Sequence, residues 1–250
     1  SPDGRWIAAL REDARGVHCL SLPDYSRPVP PLRSVPYPKA GGALPEVSLA
    51  LFDAETGERS DVALDHGLRA ATDGERAVFL FGNGDLVAYD MDGERLWARN
   101  LQRDYGDFAF QWTFAASPTL FRGALYLPVL QRDEPANGLG AEGAESFLLA
   151  LDPATGETRF RHVRPAPARM ESLESYGTPI PYVGEQGRAE ILLVGGDVLT
   201  GHDPRTGAEL WRWGTWNEGH REMWWRVVPS PVVGGGVVLA CAPKNAPVYA

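Results

Sequence analysis

Carboxylates and aromatic rings, the side chains best suited to hold a ligand in this sequence, are concentrated in four long polar segments at 102–112, 131–146, 164–176 and 215–226. Five tryptophans lie between residues 211 and 225. A surface that is aromatic and partly acidic suits a protein, peptide or carbohydrate partner, because rings supply apolar area and charges supply orientation. The alternative for any single residue is that a ring packs between neighbouring sheets or a charge is merely solvated. The candidate binding residues are Asp104, Tyr105, Asp107, Trp112, Glu171, Glu174, Tyr176, Glu218, His220, Trp224, Arg226 and, beyond the last segment, Lys244.

Spacings typical of a metal site or a catalytic nucleophile do not occur in the sequence. The five histidines form no HExxH and no pair three to five residues apart, which disfavours zinc. His202 takes a position where other repeats carry Phe, Tyr or Leu, so we expect it to be packed in a strand. There is no Asp-x-Asp-x-Asp calcium loop and no G-x-S-x-G elbow. Cys19 and Cys241 are isolated, which favours two small buried side chains over a disulfide. The residues favour a chain without a catalytic centre and leave the question of an enzyme open.

Composition and charge exclude several classes of partner. The chain of 250 residues carries 33 acidic and 24 basic side chains, a net charge of −9, which would repel nucleic acid and anionic lipid. The most apolar stretch, Val227 to Ala242, is too short and too interrupted by Pro and Gly to span a membrane. With 28 Gly and 21 Pro, the sequence favours many short elements joined by turns.

One turn motif recurs four times and must position these segments. It contains an aspartate followed three or four residues later by a glycine, and the pairs are Asp53 with Gly57, Asp90 with Gly93, Asp152 with Gly156, and Asp203 with Gly207. The carboxylate can accept from backbone N–H groups ahead of it, and Gly supplies the left-handed residue that closes a hairpin. The aspartates are 37, 62 and 51 residues apart, close to the roughly 40 to 45 residues of a propeller blade with insertions.

Between these turns the order of elements predicts four strands per repeat. The runs at 77–81, 147–151 and 191–194 are apolar at every position, so both faces of each sheet must be covered. Only 168–176 suggests a short helix, and radially stacked sheets satisfy the pattern. We therefore predict an all-β fold, one β-propeller of four-stranded antiparallel blades over 1–250, with blades at about 1–64, 67–101, 113–163, 175–214 and an incomplete 226–250. About four and a half blades are expected, as part of a larger ring.

The two ends of such blades differ in loop length. The long polar segments leave the outermost strand or join the second strand to the third, so all of them emerge on one face, here called the loop face. The short Asp-Gly turns occupy the opposite turn face. Because the long loops all lie on one face, we predict that this loop face is the binding surface, since loops carry function on a rigid scaffold.

Two family resemblances follow from these motifs. Residues 67–250 resemble the pyrroloquinoline-quinone-like (quinoprotein-type) β-propeller repeat family, through Leu151-Asp-Pro-Ala-Thr-Gly-Glu and His202-Asp-Pro-Arg-Thr-Gly-Ala-Glu-Leu-Trp. Residues 1–59 resemble the N-terminal propeller of dipeptidyl-peptidase-IV-type serine peptidases, through Ser1-Pro-Asp-Gly-Arg-Trp-Ile-Ala and Pro36-Tyr-Pro-Lys-Ala-Gly-Gly-Ala-Leu-Pro-Glu-Val. The first resemblance implies a periplasmic or otherwise extracytoplasmic location. Quinoprotein dehydrogenases also have adjacent cysteines and a calcium held by Glu, Asn and Asp, which cannot be assigned here, so neither pyrroloquinoline quinone nor calcium is expected as a cofactor.

Three functions remain open at this point. The leading one is a non-catalytic scaffold that binds a protein, peptide or carbohydrate on the loop face. The others are a quinone-dependent dehydrogenase whose ligands lie in further blades, and the gating propeller of a serine peptidase. Self-association through the open blade edge at Val237 to Ala242 is a further expectation.

Overall fold

The computed structural model describes residues 6–23, 32–36, 46–62, 68–184, 186–244 and 246–250, which fall into two compact units, 1–65 and 66–250. The described part of the first unit contains a three-stranded antiparallel sheet and a separate hairpin. The sheet has the order β1-β4-β5 and the hairpin pairs β2 with β3; the strands are β1 (Trp6–Asp13), β2 (Cys19–Pro23), β3 (Leu32–Pro36), β4 (Glu46–Asp53) and β5 (Arg59–Val62). Most of the peptidase-like segment around residues 36–47 lies outside the described residues.

The second unit is a succession of antiparallel sheets in which each strand pairs with the next. Blade A consists of β6 (Leu68–Thr72), β7 (Arg76–Phe81), β8 (Asp85–Asp90) and β9 (Arg95–Asn100). Blade B consists of β10 (Thr119–Phe121), β11 (Ala124–Val129), β12 (Phe147–Leu151) and β13 (Thr158–Val163). Blade C consists of β14 (Ile180–Val183), β15 (Ala189–Gly195), β16 (Val198–His202) and β17 (Glu209–Trp213). Blade D has β18 (Val232–Gly234), β19 (Val237–Cys241) and β20 (Val248–Tyr249).

The sheets stack on one another through their apolar faces. One buried cluster joins blades A and B, a second joins B and C through Tyr126, Leu148 and Ile191, and a third joins C and D. The first strands of the four blades are in contact in the order β6, β10, β14 and β18. This is the arrangement expected of the innermost strands around a propeller axis. The predicted all-β propeller fold with four-stranded antiparallel blades is confirmed. The predicted single domain over 1–250 and its blade limits stay predictions.

Local chemistry explains the repeated turns. In blade B the Asp152 carboxylate accepts from the backbone N–H of Ala154 at 2.8 Å, and the N–H of Gly156 donates to the Asp152 carbonyl at 2.8 Å. A hydrogen bond from Arg159 is the main reason that the pKa of Asp152 lies below its ordinary value. The corresponding glycines all have a positive φ: +72° at Gly57, +87° at Gly93, +75° at Gly156 and +75° at Gly207. Glycine adopts this left-handed conformation readily because it has no Cβ.

An aromatic ring on the outermost strand of one blade rests on the turn of the next. Trp97 of β9 donates from Nε1 to the Pro153 carbonyl at 2.9 Å, and its ring covers Gly156 so closely that a Cβ there would lie 2.7 Å from it. Phe160 of β13 covers Gly207 in the same way. The turns of blades B and C therefore each receive an aromatic ring from the preceding blade.

A β-bulge occurs at the same place in blades A, B and C, where the third strand runs into its turn. The shifts lie at Ala88/Tyr89, Ala150/Leu151 and Gly201/His202. In each case one residue of the outermost strand is left without a partner, and these residues are Leu96, Arg159 and Leu210. A bulge re-aims the extra side chain, and this position is exposed in all three of these blades.

Three short helical elements interrupt the loops of the described residues, and one of them is a 3₁₀ turn at Glu218–His220. A helix, α1 (Leu101–Tyr105), follows blade A and begins at Asn100, whose side chain accepts from the Arg103 N–H at 2.9 Å. A 3₁₀ turn at Met170–Leu173 lies within the segment predicted to hold a short helix.

Candidate functional site

Three long loops meet on the loop face and are joined by their backbones. The Ser175 N–H donates to the Leu130 carbonyl at 3.0 Å, and the Tyr176 N–H donates to the Val227 carbonyl at 3.0 Å. The Val227 N–H returns a bond to the Glu174 carbonyl at 3.2 Å. The three loops leave blades B and C at different strands. These backbone hydrogen bonds therefore hold together segments that the strands alone would not join, and they make one continuous surface.

A buried ion network lies beneath this surface. Glu174 has no solvent exposure and accepts from the Arg132 guanidinium and, at 2.5 Å, from the Tyr176 hydroxyl. Arg132 also donates to the Gln111 side chain at 2.6 Å and lies 3.7 Å from Glu171. Burial, followed by the hydrogen bond to Glu174, raises the pKa of Tyr176 above its ordinary value. Two buried carboxylates need compensating cations, so the network locks the loops rather than offering free charge.

The network supports an exposed aromatic contact. Arg226 binds Glu171 on its inner side, and its guanidinium lies 5.7 Å from the centre of the Trp112 ring. Trp112 is 64% exposed although it is large and apolar. A cation held against a ring in this way presents apolar area and a charge together. We call this set the loop-face platform: Gln111, Trp112, Arg132, Glu171, Glu174, Tyr176 and Arg226.

Further exposed apolar side chains lie in or next to the loop-face segments. Leu139 is 56% exposed and Trp224 47%, both within these segments, and Val228, 59% exposed, lies two residues after the last segment. Single exposed apolar residues are ordinary, but several on the elaborated face of one molecule are typical of a surface that is covered by a partner.

Two of the predicted binding residues have a different role. Asp104 and Tyr105, both on α1, contact Arg99 of β9 at 2.7 and 3.1 Å, and the Tyr105 hydroxyl lies 2.6 Å from that of Thr158 in blade B. Arg99 also donates to the Gly156 carbonyl at 2.7 Å. These contacts join blade A to blade B, so the pair belongs to the packing between blades. Asp107 is exposed nearby.

The tryptophan-rich connection after blade C is held at one buried carboxylate. Asp197, in the turn between β15 and β16, is 2% exposed and accepts from Asn217 at 2.7 Å and from His220 at 3.0 Å. Burial raises the pKa of Asp197 above its ordinary value. Trp211 and Trp213 lie on β17, and only three of the five tryptophans lie in the loop itself. Glu218 and Lys244 are exposed.

Sequence reasoning did not single out Arg132, Arg164 or Asp197. Arg164 is 1% exposed and donates to the Thr200 hydroxyl and to the carbonyls of Gly195 and Val198 at 2.9 to 3.0 Å. Burial lowers its pKa to about 9. The only sequence signal for Arg132 and Arg164 was a basic residue at the start of a long loop, and nothing local distinguished them from solvated arginines.

The described residues form no metal-binding cluster. No three His, Cys, Asp or Glu side chains converge there in an arrangement that could hold a metal ion. The expected lack of pyrroloquinoline quinone and calcium stays a prediction, as does self-association. His202 is fully buried in β16, where its nitrogens contact the Gly207 carbonyl at 2.8 Å and the Thr200 hydroxyl at 2.9 Å. Cys19 and Cys241 are both free thiols, as expected, but Cys19 is exposed and Cys241 is only half-buried, so the expectation that both side chains are buried is wrong. None of the helices that the structure describes has the length and apolarity needed to cross a bilayer.

Solved structures share this fold at low sequence identity. The crystal structure of BamB from Moraxella catarrhalis superposes with a TM-score of 0.52 and 15% identity, over 94% of this chain and 60% of that one. Porphyromonas gingivalis dipeptidyl peptidase 4 superposes with a TM-score of 0.53 and 14% identity, over all of this chain and 34% of that one. At these identities the likeness concerns the fold.

Curated relatives match only part of the chain. A protein named "Probable dipeptidyl peptidase 4" from Aspergillus fumigatus is 36% identical over 95 residues, which cover 35% of this chain and 12% of that protein. "Probable dipeptidyl-aminopeptidase B" from Grosmannia clavigera is 38% identical over 76 residues, 26% of this chain and 8% of that protein. The chain thus spans about a tenth of the length of these peptidases.

The family model described as "Outer membrane protein assembly factor BamB" matches residues 45–250, well over half of the chain. That range includes the four blades A to D, all four Asp-Gly turns and the loop-face platform. The chain belongs to the family of the outer membrane protein assembly factor BamB.

Proposed function

We propose that this chain is a non-catalytic propeller scaffold that binds a protein partner with its loop-face platform outside the cytoplasm. The observation that carries the proposal is Trp112, 64% exposed and paired with Arg226, on loops that a buried ion network fixes in place. Trp and Arg are the residue types that contribute most to binding at protein interfaces, and a rigid platform reduces the entropy lost on association.

The family supplies the class of partner. Its description names a factor in the assembly of outer membrane proteins, so we infer that the partner is a protein of that assembly process. Family membership likewise supports an extracytoplasmic location. A carbohydrate is the weaker alternative, because Glu171 and Glu174 are both committed to arginines and leave few free acceptors for hydroxyl groups.

Site-specific photo-crosslinking in the source organism tests this role. A photoreactive amino acid at Trp112 or Trp224 should capture a defined outer membrane assembly protein, whereas the same group at Glu94, exposed on the turn face, should not. Equal capture at both faces, or capture at Glu94 alone, would remove the loop face as the binding surface.

The affinity for the captured protein then tests the platform. Trp112→Ala should weaken binding by about tenfold or more, because an aromatic at the centre of an interface contributes roughly 2 kcal/mol or more. The matched control is Leu96→Ala, which removes another exposed apolar side chain, 46% exposed, away from the loop face. Similar affinities for the two variants would argue against the proposal.

A second candidate is favoured by the partial identity to fungal dipeptidyl peptidases. In that case these blades would act as the gating propeller of a serine peptidase. The test is hydrolysis of dipeptide substrates by the protein purified from the source organism. Activity that copurifies with this chain in one polypeptide would favour the peptidase, and its lack would favour the scaffold.

A further inference from the structure

A cavity of about 590 Å³ opens on the turn face at the junction of blades B and C, away from the loop-face platform. Its volume lies within the range of about 300 to 1,000 Å³ typical of ligand-binding clefts. Its floor is aromatic: Tyr126, 1% exposed, donates its hydroxyl proton to the Pro204 carbonyl at 2.7 Å, and the Phe160 ring lies 6.4 Å from the Tyr126 ring. Four arginines line its wall: Arg122, Arg159, Arg188 and Arg205.

These arginines present their charge to solvent. The side chains of Arg159, Arg188 and Arg205 are 42%, 65% and 88% exposed. Each has one carboxylate of this chain on one side, Asp152 at 2.7 Å, Glu190 at 2.7 Å and Asp203 at 3.7 Å in the same order. A guanidinium has five N–H donors, so each retains donors for a second anion. Arg122 lies over the Phe121 ring, and among the described residues no carboxylate is within 4 Å of it.

The propeller framework does not require arginine at these positions. Arg159 is the extra residue of the bulge in blade B, and the corresponding residues of blades A and C are Leu96 and Leu210. Arg205 follows its turn aspartate by two residues, where blade B has Ala154 and blade A has Asp92. The same bulges and turns form in other blades without arginine. Folding of the blades therefore does not account for the arginines at this junction.

From this cavity we propose a second binding site on the turn face, which takes an acidic peptide segment from a partner protein. Guanidinium groups recognise carboxylates through paired N–H donors. The four arginines lie on four different elements, and three of them are held by three different carboxylates. Their charges are therefore distributed along the wall instead of converging on one point, which suits a chain with several carboxylates better than one small anion. In a molecule of net charge −9 such a basic site is a local exception.

The site is independent of the proposed function, because it lies on the opposite face and shares no residue with the platform. Binding is measured by the fluorescence anisotropy of a fluorescein-labelled peptide of alternating Glu and Ser, with the Gln–Ser peptide as its neutral analogue. The acidic peptide should bind at least about tenfold more tightly than the neutral one, and the difference should shrink as salt is raised.

Variants locate the binding. Arg159→Leu combined with Arg205→Ala introduces residues that other blades carry and should weaken binding by about tenfold, with the thermal midpoint unchanged because both side chains are exposed. The charge-matched control is Arg103→Ala with Arg221→Ala, which removes two exposed arginines elsewhere and should change affinity less than twofold. Arg205→Glu, which reverses the charge of the most exposed side chain, should weaken binding without any change in apolar packing.

Three results would overturn the proposal. The first is no measurable preference for the acidic over the neutral peptide. The second is an equal loss of peptide affinity in the site variants and the control variants. The third is displacement of the labelled peptide by inorganic phosphate at a concentration no higher than that of unlabelled acidic peptide needed for the same effect. The last result would assign the cavity to a small anion.

Discussion

Replacing Gly156 by Ala should destabilise the protein far more than the same change at Gly93, although both residues have a left-handed φ. Gly93 has open space where a Cβ would be, so Gly93→Ala should cost only the strain of φ, about 1 to 2 kcal/mol. At Gly156 the new Cβ would lie 2.7 Å from the Trp97 ring. Trp97 would have to leave the turn and lose its bond to the Pro153 carbonyl, which adds about 1 kcal/mol for the bond and about 1 to 3 for the packing.

The free energy of unfolding in urea measures the difference, followed by fluorescence and far-ultraviolet circular dichroism. Gly156→Ala should lower it by about 3 to 6 kcal/mol in total, as the sum of the strain and packing terms. In a Trp97→Ala background the ring is gone, so Gly156→Ala should then cost about as much as Gly93→Ala. Equal losses for the two glycine variants in the native background, or an unchanged loss at Gly156 without Trp97, would refute the docking of one blade's ring on the next blade's turn.

Four further outcomes are expected. Burial lowers the pKa of His202 from 6.5 to about 4, so between these pH values the unfolded chain binds a proton that the folded chain does not. The free energy of unfolding should therefore fall by about 3 kcal/mol as the pH is lowered from above 6.5 towards 4. His202→Leu should flatten this part of the stability profile, measured by urea unfolding at several pH values. Arg164→Met removes the hydrogen bonds that Arg164 donates to three buried acceptors and should lower the unfolding free energy by about 2 to 4 kcal/mol, with the thermal midpoint falling accordingly. Asp197→Ala should release the 214–222 connection, seen as about tenfold faster hydrogen exchange there, whereas Glu218→Ala should not. Calorimetric titration should find no submicromolar binding of calcium or pyrroloquinoline quinone; such binding with dye reduction would revive the dehydrogenase alternative.

The parts of the fold that the sequence predicted are those that short-range chemistry decides. A turn such as 152–157 is closed by an aspartate and a glycine four residues apart, so its motif is visible in a single stretch of sequence. Fully apolar runs such as 147–151 report burial of both sheet faces in the same local way. The helix α1 was not predicted because five residues are too few to show a helical period.

The candidate site was less predictable because its pairings join distant segments. Arg132 and Glu174 are 42 residues apart, and Arg226 and Glu171 are 55 apart, so their contacts depend on how two or three loops meet. Carboxylates expected at the mouth of a binding site are therefore buried in the platform, while the exposure of Trp112 is a property of the assembled loops. A site formed by the arginines of the turn face was not predicted for a related reason: each arginine belongs to a short turn or a bulge, and only the junction of two blades brings them together.

The docking of a ring on the following turn has a consequence for the order of folding as the chain emerges, N-terminus first, in the compartment where it folds. Trp97 precedes its acceptor Pro153 by 56 residues, and Tyr126 precedes Pro204 by 78. Blade A therefore emerges well before the turn that covers its tryptophan. Until that turn follows, the outer strand of blade A is available to chaperones and to other unfolded chains. Folding then advances from the N-terminal side, each blade being completed by the emergence of the next.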